Sequence, residues 1–574
     1  MSLPPDSAGP KRSAVELIKE NSRHLRGTLA EELAQETDHF GDQTKQLLKF
    51  HGSYQQDDRD ARKERRQGGG KSFIFMIRCK IPGGVVTADQ YLALDRLTEE
   101  YANGTLRITT RQGIQFHGVL KRNLKQAIGA INASLLTTLG ACGDVERNVM
   151  APPAPYASPV YRELHRVARM IADRFAPRGG AYHEIWLDGK PMPNLPRLDP
   201  ADPEPIYGNV YLPRKFKTGL ALPDDNSVDV YAQDLGLLGI VNDGAIAGYN
   251  VLVGGSMGMT HGNANTFPMC GKPIAYVSAD RVYEAAEGVL KLFRDHGNRA
   301  DRKRARIKYV VHDWGVPRFR EVLQTYVSFP LELPRDVPVT GFPLNLGWHA
   351  QGDGKFFYGV SVENGRVKDD GDFRLRTALR TLVEQLRPQI RLTPMQDILL
   401  CDLPETARAV IERTLSDHGV RLPERISLVQ QHSLACPAIP TCGLALSEAE
   451  RALPGIIDDL EVELERLGLD GEKISVRMTG CPNGCARPYQ SDIGIVGRSG
   501  DKYTLYVGGN LVGSRLNFPL KDLVPLAEIV PTLCKVLEQF KRHREGDEAL
   551  GDYCQRVGAE HLQSAIEYAK PQAS

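Results

Sequence analysis

Apolar positions along the chain follow two spacings, an alternation of period two and an amphipathic spacing of three to four residues. Phe73-Ile-Phe-Met-Ile-Arg-Cys-Lys80, closed by Pro82-Gly-Gly, predicts a strand. Period two puts Arg78 and Lys80 on one face and Phe75, Ile77 and Cys79 on the other. Arg107 to His117 reads as a second extended stretch. One parity holds Arg107, Thr109, Arg111, Gly113, Gln115 and His117; the other holds Ile108, Thr110, Gln112, Ile114 and Phe116. One face is therefore cationic and polar, the opposite face mostly core-like. Leu124, Ile128, Ile131, Leu135 and Leu139 then predict an amphipathic helix. In Leu212-Pro-Arg-Lys-Phe-Lys-Thr218, the same alternation sets Lys215 and Lys217 opposite Phe216.

The pattern repeats. Arg107-Ile-Thr-Thr-Arg-Gln-Gly-Ile is echoed by Arg391-Leu-Thr-Pro-Met-Gln-Asp-Ile, and that echo precedes a helix with Ala407, Val410, Ile411 and Leu415 on one side. Asp234-Leu-Gly-Leu-Leu-Gly and Val253-Gly-Gly-Ser correspond to Asp492-Ile-Gly-Ile-Val-Gly and Val507-Gly-Gly-Asn. Matches in one order predict a duplication around one shared site. Pro191 to Pro205 reads as a Pro-rich loop, and the segment near Pro330–Pro343 as the junction of the halves. Ser447-Glu-Ala-Glu450 matches a capping box, and Pro454 opens a helix with Ile456, Ile457, Leu460, Leu464 and Leu467 inward. Residues 1–72 read as an extension; the charge run Gln55-Gln-Asp-Asp-Arg-Asp-Ala-Arg-Lys-Glu-Arg-Arg, ending in Gln67-Gly-Gly-Gly, is expected to be a solvated arm.

Composition narrows the function. With Lys+Arg 72 against Asp+Glu 71 the formal net charge is +1, so no bulk attraction to nucleic acid or membrane is expected, and an anion site requires a local cluster of cations. No apolar run reaches the length of a membrane span, and the start lacks a signal pattern. Ten cysteines are sparse for 574 residues, and those at 79, 142, 270, 401, 534 and 554 show no close pairing, as in a reducing cytosol. The other four are paired: Cys436 with Cys442, and Cys481 with Cys485, in Pro/Gly-rich loops. Neither loop saturates a metal alone. Four thiolates suit tetrahedral zinc or a cubane iron–sulfur cluster, and the five-residue gap after Cys436 fits a zinc ribbon poorly, so on spacing a [4Fe-4S] cluster leads.

Cys436-x5-Cys442 followed by Cys481-x3-Cys485 resembles the signature of the sirohaem-dependent sulfite and nitrite reductases. The words Thr441-Cys442-Gly-Leu-Ala and Thr479-Gly480-Cys481-Pro-Asn-Gly-Cys485-Ala-Arg-Pro look like the sulfite branch, the haemoprotein (beta) subunits of assimilatory sulfite reductases. The likeness runs from about residue 20 to the end. It implies two cofactors, sirohaem and a [4Fe-4S] cluster held by Cys436, Cys442, Cys481 and Cys485, with Cys485 bridging cluster and sirohaem iron. In the family, residues matching Arg78, Arg147, Lys215 and Lys217 bind the sulfite oxygens. Those matching Arg107, Arg111, Gln115 and His117 contact the carboxylates of the macrocycle. The implied reaction is the six-electron reduction of sulfite to hydrogen sulfide in cysteine biosynthesis. Sirohaem nitrite reductase is the alternative within the family, and a non-catalytic zinc or iron–sulfur protein the alternative outside it. Gly443, where a proline is common, and Tyr489-Gln-Ser491 depart from the family pattern.

The implied fold is α+β: a duplicated two-half architecture of ferredoxin-like α/β sandwich halves (73–145 and 331–420) and two sirohaem-binding α/β domains (146–330 and 421–574) around one shared cofactor site. No Gly-x-Gly-x-x-Gly motif is present, so electrons are expected from a separate protein. The N-terminal words resemble the subunit that pairs with an NADPH-dependent flavoprotein; Cys485-Ala-Arg-Pro-Tyr also resembles ferredoxin-dependent relatives. A cytoplasmic enzyme is expected.

Overall fold

The computed structural model describes residues 12–64, 70–178, 186–187, 190–191 and 203–568. Residues 67–69 of the Gln67-Gly-Gly-Gly run and most of the Pro191–Pro205 loop lie outside these residues.

β-prone runs and the helices that follow them build two sheets of five strands. The first orders Ser53–Asp57, Phe73–Arg78, Ile114–Val119, Leu106–Ile108 and Arg366–Val367; the second orders Gly347–Ala350, Phe356–Val360, Ile398–Leu403, Gln389–Leu392 and Val85–Val86. Each sheet thus ends in a short strand donated by the other half, with Arg366 opposite Arg107 and Val85 opposite Arg391. Helices Ala88–Tyr101 and Leu124–Ala133 from one half, and Leu375–Leu386 and Arg408–Asp417 from the other, share one core that includes Leu94, Ile131, Leu379 and Ile411. Two glutamines complete the exchange. Gln112 and Gln396 both sit at positive φ (53° and 75°). Gln112 Nε2 donates to the Leu392 carbonyl (3.0 Å), and Gln396 Nε2 to the equivalent Ile108 carbonyl (3.1 Å). The echo read from the sequence is a local two-fold relation.

Three expectations change. Arg107 to His117 is not one strand but a hairpin whose turn closes with Thr109 N–H to Gly113 O (2.8 Å) and Gly113 N–H to Thr109 Oγ1 (3.0 Å). The alternation runs through it because both arms are buried. The following helix stops at Ala133; Leu135 lies beyond it at φ 62° and is exposed. The charge run is not a free arm over its described part: Ser53–Asp57 is paired antiparallel with Phe73–Arg78, and Asp58 Oδ1 caps the Arg59–Glu64 helix through the Ala61 N–H (3.1 Å).

Two further sheets flank this centre. Lys272–Ser278, Ala245–Val253, Leu235–Asn242 and Thr218–Ala221 form one; Ser433–Ala435, Val476–Thr479, Ile493–Ser499, Lys502–Val507 and Phe518–Pro525 form the other. In both, a parallel pair is followed by an antiparallel hairpin, and the buried Asp234 and Asp492 precede equivalent strands.

Candidate active site

The two cysteine loops meet because their strands are neighbours. Ser433–Ala435 runs parallel to Val476–Thr479, with Ala435 opposite Met478, so Cys436 and Cys481 leave the same end of one sheet. A parallel pair needs a long crossover, and helix Leu453–Leu467 is part of it, burying Ile456, Ile457, Leu460, Leu464 and Leu467. The loops then touch: Leu446 N–H donates to Gly480 O (2.7 Å), and a Cβ on Gly480 would lie 2.4 Å from the Ser447 carbonyl. Gly484 (φ 61°) turns the second loop beside Met257 and Tyr489.

All four thiols lie within one another's fields. Burial, then Cys485, raises Cys436, Cys442 and Cys481 above the ordinary thiol value, Cys481 to about 12. N–H groups aim at the sulfurs: Gly480 N–H at Cys436 Sγ (3.4 Å), Asn483 Nδ2 at Cys481 Sγ (3.4 Å), and the Leu444 and Ala445 amides at Cys442. Cys485, unlike the other three, is exposed. Its carbonyl accepts from Thr110 Oγ1 (3.2 Å), which brings the turn of the first hairpin onto the cysteine loop.

The cations converge from the other side. Arg78 pairs with Gln115 and Gln115 with Arg107 across adjacent strands, and Arg366 follows beside Arg107. These four residues make a row across the sheet. With its amide oxygen turned toward Arg78, Gln115 accepts from Arg78 Nε (3.1 Å), and Arg78 Nη1 approaches Cys142 Sγ at 3.1 Å. Burial opposes the charge on Arg78, but Cys142, Tyr54, Cys485 and Cys442 together hold it above the ordinary arginine value. Arg147 donates Nε to Gly143 O (2.8 Å). The side chains of Lys215 and Lys217 make no hydrogen bond or ion pair among the described residues. Burial, reinforced by Arg306 and Arg214, pushes Lys215 down to about 7; burial, Lys215 and Arg111 hold Lys217 well below the ordinary lysine value. Two half-buried ammonium groups side by side repel each other unless an anion joins them.

Arg107 also has partners within the protein. Its Nε pairs with Glu450 Oε2 (2.7 Å) and its Nη2 donates to Ala435 O (3.0 Å), next to Cys436. Glu450 also holds Arg366 (2.6 Å), and its carboxyl is pushed down to about 2 because these arginines outweigh burial. The Ser447–Glu450 word is therefore not a capping box: helix Leu453–Leu467 starts later, with no side-chain cap at Ala452, and Glu450 is an ionic tie. Arg111 donates to Gln233 Oε1 (2.6 Å) and the carbonyls of Asn148 (2.5 Å) and Thr218 (3.2 Å), leaving Nε without a partner. Both ring nitrogens of the buried His117 also lack a partner, and burial, Arg366 and Arg107 keep the ring neutral.

Sequence reasoning missed the tie that orients the chain beyond Cys485. Arg487 (φ 58°) pairs through Nε with Asp229 and donates to the carbonyls of Thr110 (3.1 Å) and Pro394 (3.3 Å), one in each hairpin turn. Arg477 pairs with the same Asp229 (2.9 Å). A lone arginine within the apolar strand Val476-Arg-Met-Thr479 was the available signal.

The nitrite and sulphite reductase 4Fe-4S domain model matches residues 167–331 and 433–572, and the nitrite/sulfite reductase ferredoxin-like half domain model matches 65–134 and 349–418. The chain belongs to the nitrite and sulphite reductase family. Each model matches twice, as the duplication requires. Among relatives of this family, the sulfite reductase [ferredoxin] of Synechococcus elongatus is 43% identical over 100% of this chain and 94% of that protein. The sulfite reductase [NADPH] hemoprotein beta-component of Staphylococcus saprophyticus is 45% identical over 96% of each. The Mycobacterium tuberculosis NirA structure superposes with TM-score 0.78 at 25% identity, covering 96% of this chain and 98% of that one.

The site fits what this family holds. Four cysteines with N–H donors on their sulfurs suit a [4Fe-4S] cluster. The orphaned Arg111 Nε and His117 nitrogens and the unpaired lysines suit a macrocycle rich in carboxylates.

Proposed function

We propose that the protein reduces sulfite to hydrogen sulfide, with Cys436, Cys442, Cys481 and Cys485 holding a [4Fe-4S] cluster and Cys485 also facing sirohaem. When bound, the coupled pair supplies six electrons, one at a time, and an iron for the sulfur of the substrate. The chain's own residues do the rest. Arg78, Arg147, Lys215 and Lys217 bind the oxygens, and their fixed charges stabilise the negative charge that develops as each S–O bond breaks. Lys215 Nζ, poised at about 7, holds and releases a proton near neutral pH, so each oxygen can leave as water. Arg111, Gln115 and His117 face the macrocycle's carboxylates; Arg107 serves as a strut to the Cys436 loop.

The observation that carries this reading is the pair of half-buried lysine side chains without a partner among the described residues, Lys215 in the field of Cys485 and Lys217 in the field of Lys215. A visible spectrum with iron and acid-labile sulfide analysis tests it. Sirohaem bands with about five irons per chain and sulfite-dependent turnover are expected; zinc without tetrapyrrole would overturn the enzyme reading. Nitrite turnover exceeding that on sulfite would move the assignment to the family's other branch. Cys485→Ser is expected to lose cluster, sirohaem or both.

Electrons come from a separate protein. An NADPH-dependent flavoprotein subunit is favoured by the likeness to hemoprotein beta-components, with ferredoxin as the alternative; turnover with each donor decides. The ten free cysteines suit a reducing cytoplasm, and among the described residues no helix is long and apolar enough to cross a membrane.

A further inference from the structure

The side chains of Lys215 and Lys217 are unanchored; the backbone between them is held by Phe216 N–H to Val145 O (3.1 Å) and Arg147 N–H to Phe216 O (2.9 Å), and the residues leading into it are held separately. The chain reaches it from the N-terminal side. Lys19, in helix Ala14–Glu20, is fully buried; its Nζ lies 2.6 Å from Glu16 Oε1 and 3.6 Å from Asp144 Oδ2, and donates to the Leu212 carbonyl at 2.7 Å. The Leu212 N–H donates in turn to the Asp144 carbonyl (3.0 Å). Leu212 is therefore gripped on both sides, three residues before Lys215. Glu16 pairs with Arg299, whose Nη2 donates to the Tyr211 carbonyl (2.8 Å), and Ser13 N–H donates to Arg299 O (3.0 Å). Tyr211 is held at φ 55°, a conformation a tyrosine adopts only when its surroundings enforce it. Asp144 also takes Arg302 (2.8 Å) and Arg214 (3.8 Å), which ties its carboxylate to the same loop.

A seven-residue helix has little stability of its own, and burying a lysine opposes folding unless the contacts it makes are specific. We infer that the Ser13–Glu20 segment is a clasp, and that Lys19 is a positioning residue which, through Leu212 and Asp144, sets the Lys215–Lys217 loop for binding an oxyanion. The inference rests on the sulfite reading for the identity of the anion, but the clasp itself does not.

The test uses the full-length, cofactor-loaded protein and two substitutions, Lys19→Met and the milder Glu16→Gln. Hydrogen exchange at the Leu212 and Phe216 amides reports the loop directly. Optical titration with sulfite and with carbon monoxide separates an anion from a neutral ligand of the same iron. Both variants are expected to exchange faster at these amides and to lose about tenfold or more in sulfite affinity, with iron content, visible spectrum and carbon monoxide affinity unchanged. Unchanged exchange and sulfite affinity in either folded variant would overturn the clasp, as would equal weakening of both ligands, which signals general collapse. If the parent protein binds no sulfite, the sulfite reading fails while the exchange comparison still decides the clasp.

Discussion

Lys217 and Lys215 differ in what substitution should reveal. Lys217→Ala removes a fixed charge from the anion site and is expected to slow turnover by the equivalent of about 2–4 kcal/mol in the barrier, with cofactor content intact; normal turnover in a fully loaded variant would remove Lys217 from the site. Lys215, brought to about 7 by burial and neighbouring cations, changes charge in the physiological range. Its ammonium attracts the anion only while protonated, so sulfite affinity should fall as pH rises through about 7. Lys215→Arg, which stays charged, should flatten that profile. A profile identical to the parent's would mean another group titrates.

At the level of elements, Asp229 joins the cysteine-bearing half to the loop before Leu235–Asn242 by accepting both Arg477 and Arg487. Asp229→Asn keeps the volume but leaves two buried guanidinium groups without a counter-charge. A loss of about 3–5 kcal/mol is expected in urea unfolding, with partial recovery when Arg477→Met is added, because the two sites share one network. A change below ~1 kcal/mol would show that solvent or another carboxylate compensates. The hairpins carry a quieter tie. Gln112 and Gln396 each reach across to the other half, so paired alanine substitutions are expected to loosen the junction more than either alone.

Across the whole molecule, acid stability should depend on the carboxylates that join distant segments. Glu450 and Asp144 are both held at about 2, below their ordinary values, because arginine and lysine partners outweigh burial. A depressed carboxyl contributes stability that is complete above its unfolded value and disappears as pH falls through the folded one. The acid limb of the stability profile should therefore descend between about pH 4.5 and 2, and Glu450→Gln should make it shallower. An unchanged limb would place the acid sensitivity elsewhere.

Much of this was legible in one dimension. Local spacing announces the cysteine pairs, the strand Phe73–Arg78, the helix Leu453–Leu467 and the duplicated Arg107/Arg391 words, because periodicity and loop chemistry are properties of neighbours in sequence. Arg107 to His117 misled for the same reason: alternation cannot tell one long strand from two buried arms joined by a turn. Only the tertiary structure decided the partners. It committed Arg107 to Glu450, left Lys215 and Lys217 unpaired, set Arg487 between both hairpin turns and drew Lys19 beneath Leu212, 193 residues away. Sequence determines which charges the chain must accommodate; burial and the crossing of distant strands determine which of them are neutralised within the protein and which are left to meet a ligand.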